Sequence, residues 1–231
     1  MKPELRPFVK AAGLQADARS IAAAGVGAVY RGDVPGASLV ALMTGIGMDN
    51  ATRAAERALS LGPCDHVLVV GIAGGVDPGL CIGDVVVPEV VVDGPSGREY
   101  RADPLGSHPR AGRIVSSDEL SSGSDEQAAM VAAGITAVDM ETAAVAAVCA
   151  AAGVRWSAFR GISDHGAESG IDESVLHLSK PDGTADAGAV ARYALTKPWK
   201  MPKLAKLGRD MQTAVDAAVR AALAALAEAT P

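Results

Sequence analysis

Residues 135–166, ITAVDMETAAVAAVCAAAGVRWSAFRGISDHG, decide the fold. They read as a short strand, a helix of small residues, and a second strand that runs into Ser163-Asp164-His165-Gly166. Two carboxylates, Glu141 and Asp164, each stand where an apolar strand gives out. With the two strands as parallel neighbours, both acids lie along the carboxyl edge of one sheet, where open α/β sheets place their ligands. The stretch therefore predicts an active site, and the rest of the chain has to say which one.

Composition narrows the choice. The 231 residues are 49% hydrophobic but only 3% aromatic, enough for one substantial core built mostly from Ala and Val. Lys and Arg number 21 against 27 Asp and Glu, a net charge of -6, and no basic cluster stands out. That balance argues against nucleic acid or an anionic membrane as the main partner. The three cysteines, Cys64, Cys81 and Cys149, are an odd number without metal-ligand spacing, which predicts buried reduced thiols in a cytoplasmic protein. Neither the N-terminal MKPELRPFVKAAG nor the Ala-rich C-terminus suits a signal peptide or a membrane span.

Along the chain, residues 4–24 predict a helix with Leu5, Phe8, Val9 and Leu14 as core contacts. Residues 28–30 and 38–43 predict strands around the turn-rich GDVPG of residues 32–36. Thr44-Gly45-Ile46-Gly47 precedes a helix over residues 50–61, so it is either an anion or hydroxyl site at a helix N-terminus or a plain tight turn. The apolar run 66–70 predicts a central parallel strand, ending in the loop Gly71-Ile72-Ala73-Gly74-Gly75, which lacks the dinucleotide-binding spacing. Val85–Val87 and Val90–Val92 predict two adjoining strands or one bent at Pro88, and residues 93–112 a surface loop over the site. A strand at 113–116 and a helix at 125–133 capped by Ser124 follow. Residues 167–185 predict a loop or lid, residues 187–195 a short helix, and residues 203–228 a long helix with one apolar face. One α/β domain over residues 1–231 is expected, three-layered, with a mixed, largely parallel central sheet flanked by helices.

Taken in order, the motifs resemble the nucleoside phosphorylase/nucleosidase superfamily, which includes bacterial purine nucleoside phosphorylase and methylthioadenosine/S-adenosylhomocysteine nucleosidase. They are Thr44-Gly45-Ile46-Gly47, Gly71-Ile72-Ala73-Gly74-Gly75, Ile82-Gly83-Asp84-Val85-Val86, Ile114-Val115-Ser116-Ser117-Asp118, Val138-Asp139-Met140-Glu141 and Arg160-Gly161-Ile162-Ser163-Asp164. The resemblance implies Asp164 as the acid serving the departing base, oriented by Ser163, and Glu141 on the ribose hydroxyls with Met140 packed against the sugar. It implies that the glycine segment, at Ala73 and Gly74, approaches the base or the attacking group. Leu120 stands where the family carries an aromatic residue that stacks on the purine.

The attacking group separates the branches. Bacterial purine phosphorylases hold phosphate through an Arg before the glycine segment and a Ser within it. The matching positions here are Val69 and Ile72, which cannot bind phosphate, and Glu4 matches the water-activating Glu of the nucleosidases. Family members carry a strand just ahead of that Glu, so the resemblance implies a missing first strand, a poorly anchored Glu4 and reduced activity. Three other readings stay open: a purine phosphorylase, a hopanoid-associated nucleosidase (loosely similar over residues 198–207), and a non-catalytic nucleoside-binding protein. His66, His108 and His177 have no partner pattern, and no metal or cofactor is implied. The resemblance also implies a homodimer or higher homo-oligomer acting on a small nucleoside.

Overall fold

A computed structural model of the chain describes residues 2–17, 28–119, 124–165 and 187–229. Helix α1 (Lys2–Ala11) leads to a small antiparallel sheet of β1 (Gln15–Ala16), β2 (Tyr30–Val34) and β3 (Ala37–Ala41). Helix α2 (Met48–Ser60) feeds the long strand β4 (His66–Gly75), followed by β5 (Val85–Val86), β6 (Val90–Asp93), β7 (Glu99–Arg101) and β8 (Arg113–Ser116). Then come α3 (Ser124–Ala132), β9 (Ile135–Asp139), α4 (Thr142–Ala152) and β10 (Arg155–His165). Helices α5 (Ala187–Thr196) and α6 (Met201–Glu228) follow, joined through a 3-10 turn at Pro198–Lys200.

Seven strands make the main sheet, in the order β5-β10-β4-β9-β8-β6-β7. The long β4–β10 pair is parallel, as are β6–β8 and β8–β9, whereas β5, β7 and the β4–β9 contact are antiparallel. Helices cover both faces, because consecutive residues of a strand point to opposite sides. Ala158 on β10 packs with Ala51 and Ala55 of α2 and Ala146 and Cys149 of α4. Its neighbour Phe159 packs the other way, with Phe8 of α1 and Val215, Val219 and Ala222 of α6. The result is the expected three-layer α/β domain. Small side chains let α4, apolar all round, lie buried between α2 and the sheet.

Several expectations need correcting. The two strands of the deciding stretch are not parallel neighbours: β4 lies between β9 and β10, and β9 meets the end of β4 antiparallel at Gly74 and Gly75. The first helix stops at Ala11. Gly13, with φ 65°, lets the Gly13 N–H reach the Lys10 carbonyl and the Leu14 N–H reach that of Val9, a closing motif that needs left-handed backbone. Residues 18–24 of that expected helix lie outside the described residues. The glycines 71–75 are no loop but the second half of β4, paired with β10 throughout.

Farther on, the valine runs belong to opposite sides of the sheet: β5 pairs with β10, and β6 pairs with β8, with Pro88 buried between them. Residues 93–112 hold a hairpin whose return strand, β7, is the sheet edge farthest from β10. The β2–β3 turn is confined to Pro35 and Gly36, since pairing continues from Tyr30 to Val34. Ser124 is the first residue inside α3 rather than its cap. Of the cysteines only Cys149 is buried, its thiol pushed up to about 12 by burial and the neighbouring Cys64, while Cys81 is exposed.

Candidate active site

The centre of the site is Arg160, a guanidinium 3% exposed in the middle of β10. A lone cation cannot stay charged at that depth, so carboxylates must surround it. Asp139, at the end of β9, accepts from Arg160 Nε at 2.8 Å and from its Nη2 at 2.7 Å. Asp139 also accepts from Ser116 Oγ at 2.5 Å, from the Thr142 hydroxyl, and from the Glu141 and Thr142 N–H groups at 3.2 and 3.1 Å. It thereby caps α4 and anchors Arg160 at once. Burial alone would raise the Asp139 carboxyl, but Arg160 and these hydrogen bonds outweigh it and hold the group below its ordinary range.

Arg160 reaches onward to Glu141. Its Nη2 donates to Glu141 Oε2 at 2.9 Å, while the Gly47 N–H donates to Oε1 at 3.4 Å. Burial pushes the Glu141 carboxyl up; Asp139 and Glu4 push the same way, against Arg160. Burial disfavours the Arg160 charge, yet Asp139, Glu141 and Glu4 together raise it above its ordinary value.

Glu4 arrives from the other layer. It sits in the first turn of α1, which Phe8 anchors in the core beside α6, so it is not on a loose terminus. Its Oε1 accepts from the Ile72 N–H at 3.0 Å. The point where a Cβ on Gly71 would stand is 2.6 Å from both Glu4 Oε1 and Arg160 Nη1. Gly71 is thus the opening in β4 through which Glu4 and Arg160 come together.

Asp164 stands farther along the same edge. The β4–β10 register slips between Ile162 and Asp164, leaving Ser163 as an extra residue. Bulges of this kind re-aim a side chain, and this one sets Asp164 opposite Gly74. Ser163 Oγ lies 2.8 Å from Asp164 Oδ2 and 3.4 Å from the Ala73 carbonyl. Burial raises the Asp164 carboxyl, although Ser163 and the charge of His165 pull it down. Glu141 and Asp164 flank the carboxyl half of β4, the first level with Gly71 through Arg160, the second with Gly74. Three residues of strand separate these levels, roughly 10 Å.

The glycine turn before α2 settles between its two readings. Its N–H groups do face a charge, but the protein's own: Gly47 bonds Glu141, and the Met48 N–H donates to Asp118 at 2.8 Å. Met140 is half-buried between Asp139 and Glu141 in the chain. Leu120 lies outside the described residues, as do His177 and the expected lid at 167–185. His66 pairs with Ser157 at 2.7 Å near the start of β4, away from these acids. Among the described residues no group of three or more His, Cys, Asp or Glu is placed to hold a metal ion, and no helix is long and apolar enough to cross a membrane.

Asp139 and Arg160 lie within the quoted motifs, but the motifs alone assign them no role. The signal was present: an arginine inside the apolar WSAFRGI is a buried charge that demands partners.

Comparison with known proteins agrees with the fold. The phosphorylase superfamily matches residues 1–110 and 102–197. The 5'-methylthioadenosine/S-adenosylhomocysteine nucleosidase of Actinobacillus succinogenes is 32% identical, the match covering 62% of this chain and 74% of that protein. Among solved structures, the corresponding nucleosidase of Neisseria meningitidis in complex with methylthio-immucillin-A superposes with a TM-score of 0.72 at 19% identity, covering 98% of this chain and 95% of that one. Futalosine hydrolase of Helicobacter pylori shares the fold too, with a TM-score of 0.68 at 18% identity over 95% and 91%. The chain belongs to the phosphorylase superfamily.

Proposed function

We propose that this protein is an N-ribosyl hydrolase that cleaves the N-glycosidic bond of a purine nucleoside, methylthioadenosine, S-adenosylhomocysteine or a related adenosyl compound. The curated relatives of that name support the class. The observation that carries the hydrolytic reading is the placement of Glu4. Its carboxylate accepts the N–H of Ile72, one of the two positions a phosphorylase would use for phosphate, so that donor already serves an anion of the chain itself. Val69, the other position a phosphorylase would use, is buried in the core.

The chemistry then divides along β4. Glu141, fixed by Arg160 and the Gly47 N–H, binds the ribose hydroxyls and stabilises the positive charge that grows on the sugar. Glu4 takes a proton from a water molecule as its oxygen bonds to the anomeric carbon. Asp164, whose proton burial helps retain, delivers it to the base nitrogen side as the carbon–nitrogen bond breaks. The products are free base and free ribose derivative. Met140 contacts the sugar, Ser163 orients Asp164, and Ala73 and Gly74 border the base.

The test is a panel of methylthioadenosine, S-adenosylhomocysteine, adenosine and inosine, with and without phosphate. Free base and reducing sugar in phosphate-free buffer are expected. Ribose 1-phosphate as product would overturn hydrolysis, and tight binding without any base release would overturn the enzyme reading.

A further inference from the structure

We propose that the elbow between α5 and α6, Leu195 to Arg209, docks this protein on an anionic lipid surface. Helix α6 is 28 residues long, yet its buried residues begin only at Ala214. The preceding span, Met201 to Thr213, has no buried residue and extends about 20 Å. Along it Leu204 and Leu207 are half covered, whereas Lys203, Lys206 and Arg209 are exposed. At its start Trp199 is 72% exposed and Leu195 85%. Scattered exposed apolar residues are ordinary, but two large ones beside an overhanging basic helix are not scattered.

Charge names the occupant. Between Ala187 and Asp210 the chain carries Arg192, Lys197, Lys200, Lys203, Lys206 and Arg209, six of its 21 basic residues, against the single acid Asp210, which pairs with Lys206 at 2.5 Å and leaves the segment with an excess of five positive charges. The net charge of -6 hides this segregation, because apolar residues separate the lysines and no run appears in the sequence. Basic side chains around a protruding Trp and Leu fit a layer of anionic headgroups over acyl chains: lysines and arginines stay with the headgroups while the apolar tips enter. Single-stranded nucleic acid fits less well, since it calls for several stacking faces and Trp199 is the exposed ring here, with Tyr193 buried. The docking is peripheral.

The two tryptophans make the test direct, as Trp156 is buried and only Trp199 can change its surroundings. The full chain is floated with vesicles of phosphatidylcholine alone or with about one-third phosphatidylglycerol, at low and high salt. Binding to the anionic vesicles at low salt is expected, with a blue shift of tryptophan emission and protection from acrylamide. Lys203→Glu with Lys206→Glu lowers the partition by about tenfold or more. Trp199→Ala weakens binding and abolishes the emission change; unchanged thermal unfolding shows that both variants fold. Absence of vesicle binding by the parent chain overturns the proposal, as does equal binding by the folded variants. So does a Trp199 response to an oligonucleotide but not to vesicles, or its shielding by self-association without lipid.

Discussion

Gly71 of β4 and Arg160 of β10 are register partners, and a methyl group on Gly71 would stand 2.6 Å from the Arg160 guanidinium. Arg160 cannot retreat without loosening Asp139 and Glu141, and Glu4 is equally close on the other side. Gly71→Ala therefore displaces Glu4, the proposed water-activating acid, or the cation that orders Glu141. The fold should persist with about 1–3 kcal/mol lost to overpacking. Base release should fall by about 100-fold, as expected when reacting groups shift by an ångström. Thermal melts and steady-state rates on one preparation check both; an undiminished rate would show that Arg160 and Glu4 need no fixed spacing.

Asp139→Asn tests the anchor beneath the site. It leaves the buried Arg160 without its closest counter-charge, a loss of about 3–5 kcal/mol. The pH dependence has a definite sign. The Asp139 carboxyl is depressed in the folded state, so its stabilisation is present above its unfolded value of 3.8 and is lost as pH falls through the lower folded value. Urea unfolding should show a constant gap between parent and variant from neutral pH down to about 5, narrowing only in stronger acid. A gap that closes near neutrality would remove Asp139 from this role.

How far the sequence revealed this site depended on whether each feature was local. The deciding stretch announces its strand, helix and strand because apolar runs and small residues repeat over short distances, and the Arg113–Ser116 strand is likewise legible. What the sequence conceals is order in space. β4, sixty residues upstream, inserts between β9 and β10, and no periodicity of residues 135–166 can show it. The glycines 71–75 look like a loop because flexibility is what their composition advertises; their actual use is room for the Arg160 and Glu4 side chains, visible only once those arrive from elsewhere. Likewise Asp118 and Glu141 close the glycine turn at Gly47 and Met48 from positions 70 and more residues away.

Asp164→Asn separates chemistry from stability. Losing the proposed proton donor should slow base release by about 100- to 10,000-fold. The folded Asp164 carboxyl lies above its unfolded value, raised first by burial. Its contribution to stability is therefore complete below 3.8 and lost as pH rises through the folded value. Once pH exceeds that folded value, the buried negative charge is a liability that asparagine lacks. The variant should melt at or above the parent temperature at pH 7, and the difference should vanish in acid. A variant that is inactive and also much less stable at pH 7 would mean that Asp164 holds the β10 bulge together instead.

Glu4→Gln probes the attacking group. The amide oxygen can still accept the Ile72 N–H, so α1 stays docked and the substrate pocket keeps its shape. Only the capacity to take a proton from water is lost. Turnover should fall by about 100-fold or more, with the KM for methylthioadenosine little changed, because the proposed ribose contact is Glu141 rather than Glu4. Replacing the carboxylate also removes the charge that would repel phosphate beside Arg160. Adding phosphate to this variant therefore tests the hydrolytic assignment from the other side. Parent turnover should be indifferent to phosphate, and any phosphate-dependent activity should appear in Glu4→Gln alone. Phosphate-dependent turnover in the parent chain, unaffected by the substitution, would reassign the nucleophile and leave Glu4 as a tether between α1 and β4.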